Sequence, residues 1–211
     1  LASDGKLYGV TRSGGTAGRG TIFTVGTAGT GFATLHSFGV NDGKDPQGEL
    51  VEGPDGRLYG MTNEGGSADQ GIIFAIQKNG SGYTILRNFG LPSANGEKPF
   101  GRLRSASDGF LYGVTYFGGT FGHGVVFRMK PDGSGFSVLH HFNNDIGKMG
   151  RSPYAGVTES SNGYLYGTCF QEGTNGGGTI FRLAKSGKGF KKVFDFEGFG
   201  APNTGRDPIP T

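Results

Sequence analysis

The apolar positions of this chain fall in short runs that are separated by turn-forming residues. The pattern is clearest in residues 46–98, where turn signals separate four extended runs, GELVEG, RLYGMT, GIIFAIQ and YTILRNF. The last three runs are rich in β-branched and aromatic residues, which favour strands, and none shows the 3.6-residue period of a helix. The separating segments PDG, Gly-Gly and NGSG are typical of turns and short loops. The pattern predicts four antiparallel strands, named A to D, and no helix.

The same block recurs four times along the chain. Its copies begin DGKLYGVT, DGRLYGMT, DGFLYGVT and NGYLYGTC, and each is followed by GTIF, GIIF, GVVF or GTIF. The leucines of the LYG triplets are spaced by 51, 53 and 54 residues. A fixed period near 50 residues, with four strands in each, predicts an all-β fold, a β-propeller of four-stranded antiparallel blades. A β-solenoid is the competing architecture, but its coils are usually shorter.

The repeat predicts one array over residues 1–211. Its units span 1–45, 46–98, 99–152 and 153–207, and residues 208–211 begin a further strand A. The tail 206–211 matches the approach to strand A in other units, and residues 1–3 match the end of that strand. Joining the tail to the head gives a fourth spacing of 53 residues. This arrangement fits a four-bladed ring, half of an eight-bladed ring that a second copy completes, or a piece of a longer array.

The block DG-x-LYG-x-T-x-x-GG, followed by G-T-[IV]-F, resembles the GloVer tandem repeat of secreted bacterial proteins. The resemblance covers all four units, and the fourth departs most, with Asn162, Cys169 and Glu172 in place of Asp, Thr and Gly. The resemblance implies a secreted or cell-surface location and no particular reaction. A looser similarity to NHL-type blades implies that strand A is the innermost strand.

Composition and charge narrow the function classes. The 45 glycines fall at fixed positions of the repeat, as turn residues do. The net charge of +3 is mild, and the lysine-rich segment 185–192 is more typical of a solvated hairpin than of a nucleic-acid site, so no nucleic-acid partner is expected. The single cysteine excludes an internal disulfide. No apolar run reaches 18 residues, so no membrane span is expected.

Two sets of connections are predicted to share one face of the propeller. If strand A is innermost, the B–C and D–A connections emerge together, and they vary most between units, as binding loops on a rigid scaffold do. Aromatic side chains beside amides and charged groups suit the stacking and hydrogen bonding of sugars. The predicted ligand-binding residues are Arg12, Arg19, Asn63, Glu64, Tyr116, Phe117, His123, Phe170 and Gln171.

Residues that repeat in every unit are assigned to packing instead. They are the tyrosines of the LYG triplets (Tyr8, Tyr59, Tyr112 and Tyr166) and the phenylalanines Phe23, Phe74, Phe127 and Phe181. Cys169 stands where the other units have threonine, so it is predicted to be a small strand residue. His36 and His140 share one position and are predicted to lie at the surface of strand D.

No catalytic motif and no cofactor are predicted, although calcium in an acidic D–A loop such as 41–46 stays open. The leading hypothesis is a secreted, non-enzymatic propeller that binds or displays, with a glycan or a protein as ligand. A structural repeat protein of an extracellular layer or filament is the alternative. The third is a polysaccharide-acting enzyme that uses His123 with Tyr116 and a nearby carboxylate.

Overall fold

The structure is a computed structural model that describes residues 1–143, 149–174 and 176–197. This part of the chain forms strands joined by turns, with one short 3-10 turn at Ser93–Asn95 and no helix long and apolar enough to cross a membrane. The strands are β1 (Lys6–Thr11), β2 (Thr21–Gly26), β3 (Ala33–Ser37), β4 (Gly43–Lys44), β5 (Val51–Glu52), β6 (Leu58–Thr62), β7 (Glu64–Gly65), β8 (Ile72–Ile76), β9 (Thr84–Asn88), β10 (Glu97–Ser105), β11 (Leu111–Phe117), β12 (Val125–Met129), β13 (Ser137–His141), β14 (Arg151–Glu159), β15 (Tyr164–Gln171), β16 (Thr179–Ala184) and β17 (Lys191–Asp195).

Apart from β4 and β7, which pair in a two-stranded sheet, the strands form four antiparallel sheets that follow the repeat. Blade 1 is β1-β2-β3, blade 2 is β5-β6-β8-β9, blade 3 is β10-β11-β12-β13 and blade 4 is β14-β15-β16-β17. The all-β propeller prediction is therefore confirmed. Blade 1 has three strands in the described residues, and residues 208–211, predicted to begin a further strand A, lie outside them. The rest of the predicted junction, residues 198–207, lies outside them as well.

The Asp of each DG turn is hydrogen-bonded to the tyrosine of the following LYG triplet. In blade 2 the Tyr59 hydroxyl donates to Asp55 Oδ2 at 2.7 Å, while Asp55 Oδ1 accepts from the Arg57 N–H at 3.2 Å. The Tyr112 hydroxyl donates to Asp108 at 2.7 Å in the same way. One carboxylate thus closes the A–B turn and holds the tyrosine ring in the core. Tyr59 and Tyr112 are also fully buried, which confirms for these two tyrosines the prediction that they pack within the blades.

The glycine of each LYG triplet lies opposite a phenylalanine of strand C. Gly60 pairs in register with Phe74, and Gly113 pairs with Phe127. A Cβ at Gly113 would lie 2.4 Å from Phe127 Cζ, so the ring occupies the space that any side chain would need. The repeated phenylalanines are therefore packing residues, as predicted.

The hydrophobic core lies between blades. Three clusters of buried side chains each join two consecutive blades, and the leucines of the second, third and fourth LYG triplets pack against the preceding blade. The side chains of Leu58, Leu111 and Leu165 are 2%, 0% and 0% exposed. Cys169 is fully buried in the cluster between blades 3 and 4, and burial raises the pKa of its thiol, in agreement with the predicted strand role.

Each joint between blades contains a stacked pair from two strand D positions. His36 stacks on Tyr83 at 3.8 Å between ring centroids, and His140 stacks on Phe190 at 3.6 Å. At the middle joint the Arg87 guanidinium lies 3.4 Å from the centroid of the Phe136 ring. The predicted surface position of His36 and His140 is therefore wrong, because the next blade covers their rings. Burial lowers the pKa of His140 to about 4.

Two of the three joints also carry a clamp made of a serine, a glutamate and a lysine. Between blades 1 and 2, Glu52 accepts hydrogen bonds from Ser3 Oγ at 2.6 Å and from Lys78 Nζ at 2.5 Å. Ser107, Glu159 and Lys185 form the same clamp between blades 3 and 4. The hydrogen bonds from lysine and serine hold the pKa values of Glu52 and Glu159 at about 2.

Candidate functional site

The B–C loops and the D–A connections meet at one end of the blades, as predicted. Strand β4 of the first D–A connection pairs with β7, which follows strand B of blade 2. Arg12, which follows strand B of blade 1, forms an ion pair with Asp45 of the same D–A connection at 2.6 Å. The candidate residues after strand B therefore share one face with the residues that lead into strand A.

The main chain fastens the three D–A connections between described blades to the preceding blade. The N–H groups of Asp45, Lys98 and Ser152 donate to carbonyl groups of Arg19, Gln70 and His123 at 3.3, 2.9 and 3.1 Å. The three donor residues have left-handed φ values of 57°, 52° and 54°. The same hydrogen bond, repeated in all three connections, holds each backbone in this conformation. Arg19 and His123 thus have a structural role through their backbones.

Five aromatic rings form a cluster on this face, in blades 3 and 4. Tyr116 contacts Phe117 with ring centroids 4.6 Å apart, and Phe170 contacts Tyr154 at 5.8 Å. Phe100 lies 4.1 Å from Tyr154 and 6.2 Å from Tyr116, so it joins the two groups. The structure therefore brings together the predicted residues Tyr116, Phe117 and Phe170. Phe117 is 49% exposed, which leaves aromatic surface open to a ligand.

Sequence reasoning missed Phe100 and Tyr154, although a signal was present. Both follow the proline that opens strand A, and the equivalent residue of blade 2 is Gln47. A variable position after a repeated proline is the same kind of signal that identified the loop residues. These side chains lie on the innermost strands, so the cluster extends from the loops toward the propeller axis.

A cavity of about 450 Å³ lies beside the cluster, where the innermost strands converge. Gly101 and Ala155, which directly follow Phe100 and Tyr154, form part of its wall. The strands approach closely here, because a Cβ at Gly48 would lie 2.0 Å from the carbonyl oxygen of Gly101. The lining residues are Val10, Arg12, Pro46, Gln47, Gly48, Glu49, Gly101, Arg102 and Ala155.

Each charged group of the cavity wall has a partner, either within the wall or in the adjacent Asp45. Asp45 accepts hydrogen bonds from Arg12 Nε and from Gln47 Nε2, both at 2.6 Å. Arg102 Nη1 lies 3.1 Å from Glu49 Oε2. The pairing leaves N–H donors and carboxylate oxygens facing the cavity with little net charge, which suits a neutral polar ligand better than a strongly charged one.

The remaining predicted residues lie in a polar sector. Glu64 forms an ion pair with Lys44 at 2.5 Å, and the Asn63 N–H donates to the carbonyl of Asp45 at 3.1 Å. Gln171 pairs in register with Arg151 at the end of blade 4, next to the aromatic cluster. Blade 2 thus contributes charges and amides, while blades 3 and 4 contribute rings.

Asp42 and Asp45, the carboxylates considered for calcium, are both engaged by protein donors. Asp42 Oδ2 lies 3.0 Å from His36 Nε2 and also accepts the Gly39 N–H at 3.0 Å, and Asp45 is held by Arg12 and Gln47. Residues 1–143, 149–174 and 176–197 contain no group of three or more His, Cys, Asp or Glu side chains placed to hold a metal ion.

The four sheets and the face they present define the class of protein, an array of β-propeller blades. Similar structures are propellers as well. They include the nidogen/laminin complex (12% identity, TM-score 0.61, 93% of this chain and 63% of that chain), a putative TolB from Agrobacterium tumefaciens (13%, 0.59, 98% and 65%) and the GH74 enzyme of Niastella koreensis (16%, 0.63, 93% and 30%). This chain therefore spans less than two thirds of the length of each of them.

The family follows from a match of a family model to the sequence itself. The Gloeobacter/Verrucomicrobia repeat matches residues 1–151 and 105–209, and the chain belongs to this family. A comparison with curated proteins gives no match.

Proposed function

We propose that this chain is a secreted, non-enzymatic binding propeller whose ligand is a glycan. The observation that carries the proposal is the aromatic cluster of Phe100, Tyr116, Phe117, Tyr154 and Phe170 beside a polar cavity. The C–H faces of a sugar stack on aromatic rings, while its hydroxyl groups donate and accept hydrogen bonds. A wall with paired charges offers both donors and acceptors to such a neutral ligand.

The secreted location is proposed from the GloVer resemblance, and the non-enzymatic role from the sequence, which carries no catalytic motif. The enzyme hypothesis depends on His123. Its carbonyl accepts the Ser152 N–H, but its ring forms no hydrogen bond or ion pair within the described residues. A general base is usually oriented by a hydrogen-bonded partner, so this arrangement favours binding over catalysis.

A glycan-array screen followed by titration calorimetry tests the proposal. We expect the chain to retain at least one class of oligosaccharide. We expect Tyr116→Ala and Phe170→Ala each to weaken its binding about two- to tenfold, since one ring contact contributes roughly 0.5–1.5 kcal/mol beyond the area it buries. Retention of no glycan would contradict the proposal, as would unchanged affinity in both variants.

Phe121→Ala is the matched control for these two variants. Phe121 is an aromatic residue of the B–C loop of blade 3, it is 54% exposed, and it makes no ring contact with the cluster. We expect this variant to bind the same glycan with the affinity of the parent chain.

A further inference from the structure

A side chain of strand D holds the B–C loop in blades 2 and 4. The Ser67 N–H donates to Asn88 Oδ1 at 2.8 Å in blade 2, and the Thr174 N–H donates to Asp195 Oδ1 at 3.1 Å in blade 4. The two acceptors occupy the same position of the repeat, directly before a phenylalanine. Both keep this role in mild acid, because an amide does not titrate and, although burial opposes it, hydrogen bonds from Lys192 and Thr174 lower the pKa of Asp195.

In blade 3 the acceptor at this position is a histidine. The Thr120 N–H donates to His141 Nδ1 at 3.1 Å, and the Thr120 hydroxyl lies 3.3 Å from the same nitrogen. An imidazole nitrogen accepts a hydrogen bond only while it carries no proton. The contact therefore requires a neutral His141 with its proton on Nε2. Protonation of Nδ1 turns the acceptor into a donor that faces another donor.

The surroundings of His141 keep its ring neutral at pH 7. Burial lowers the pKa of His141 from its ordinary value of 6.5, and no charged group among the described residues contributes to the shift. The titratable neighbours are His140 on the same strand, whose pKa burial lowers to about 4, and His123 of the B–C loop. Asp145 and Lys148 of the next D–A connection lie outside the described residues. Because the folded-state pKa is the lower one, the contact is complete above pH 6.5 and is lost as the pH falls below that value.

Main-chain hydrogen bonds, which do not titrate, hold the base of the same loop. The Gly119 N–H donates to the carbonyl of Ser93 at 2.8 Å. The histidine contact instead holds the tip, residues 120–123. The tip also supports blade 4, because the His123 carbonyl accepts the Ser152 N–H at the start of β14 at 3.1 Å. A change at the tip therefore reaches the strand that contributes to the aromatic cluster.

We propose that the B–C loop of blade 3 is a pH-sensitive element of the loop face, in which protonation of His141 releases Thr120 and loosens the tip. The corresponding loops of blades 2 and 4 stay in place, because their acceptors are an amide and a carboxylate. This inference concerns the loop alone, so it does not depend on the proposed glycan ligand.

Amide NMR between about pH 7.5 and about pH 5 tests the proposal within one chain. We expect the ring protons of His141 to titrate with a midpoint below 6.5 and the Thr120 amide shift to follow the same curve. Protection of the Thr120 amide from solvent exchange should fall roughly two- to tenfold, since one hydrogen bond is lost. The amides of Ser67 and Thr174 serve as internal controls and should keep their protection.

His141→Asn is the matched variant, because asparagine occupies this position in blade 2. The variant keeps an acceptor and removes the titration, while the other three histidines remain. Its Thr120 amide should therefore be as well protected at about pH 5 as at about pH 7.5. A parent chain whose Thr120 amide keeps its protection in acid would overturn the proposal. A variant that loses this protection as the parent does would overturn it too, because another group would then be responsible.

Discussion

Gly113 illustrates how single residues of the repeat are constrained. It lies opposite Phe127 in the antiparallel register of β11 and β12, and the ring covers the space beside its Cα. The Asp108 carboxylate holds the neighbouring Tyr112 hydroxyl, so the turn, the tyrosine and the glycine form one local unit. Selection of these residue types follows from close contact within the blade and does not require a ligand.

Gly113→Ala should lower the free energy of unfolding by about 1–3 kcal/mol, because the added Cβ would lie 2.4 Å from the Phe127 ring. Urea denaturation followed by circular dichroism measures the change. Gly39→Ala is the control, since its Cβ would meet only Asp42 at an ordinary 3.5 Å. Equal stability of the two variants would contradict this account of the glycine.

Residue roles were predictable where comparison of the four units isolates them. The repeated Tyr and Phe were assigned correctly to packing, and Tyr116, Phe117 and Phe170 were assigned to one face. His36 and His140 were misplaced because a position that varies between His, Arg and Phe looks like a surface position. In the structure His and Arg are interchangeable at this position, because each stacks on a ring of the next blade.

The blades pair through joints of two kinds. The clamped joints contain Glu52 or Glu159, whose side chains are 23% and 13% exposed, and the middle joint relies on Arg87 over Phe136. The clamps therefore fasten blade 1 to blade 2 and blade 3 to blade 4. Turn signals predicted the strands of each blade. The clamps were not predicted, because they join residues about 50 positions apart and a single sequence does not indicate which side chains meet between two blades.

The clamps predict a dependence of stability on pH. The folded-state pKa values of Glu52 and Glu159 are about 2, below the roughly 4.3 of an unfolded glutamate, so their contribution is complete above about pH 4.5 and is lost as the pH falls toward 2. We expect the double variant Glu52→Gln, Glu159→Gln to lose about 1–2 kcal/mol at pH 7 and to show a flatter decline between pH 4.5 and 2.

Glu49→Gln serves as the control for the clamp variants, because Glu49 is 67% exposed and forms only a surface ion pair with Arg102. Thermal unfolding at a series of pH values gives both results. A double variant that unfolds with the pH profile of the parent chain would show that the clamps do not stabilise the joints.

At the scale of the whole molecule, the structure separates scaffold from binding surface. The A–B and C–D turns are short and regular, while the opposite face carries the aromatic cluster and the cavity near the axis. The period near 50 residues was sufficient to predict the propeller. The residues of the site were only partly predictable. Phe100, Tyr154 and Arg102 lie on strands near the axis, and the distance between these strands depends on the packing of all four blades.

The central claim is that ligands bind at the face formed by the B–C loops and D–A connections. Amide chemical-shift mapping by NMR, with the oligosaccharide that the array retains most strongly, tests this claim most directly. We predict shifts at Gln47, Phe100, Tyr116 and Phe170 and none at the C–D turns around Asn79 and Gly133. Shifts confined to those turns would contradict the assignment of the binding face.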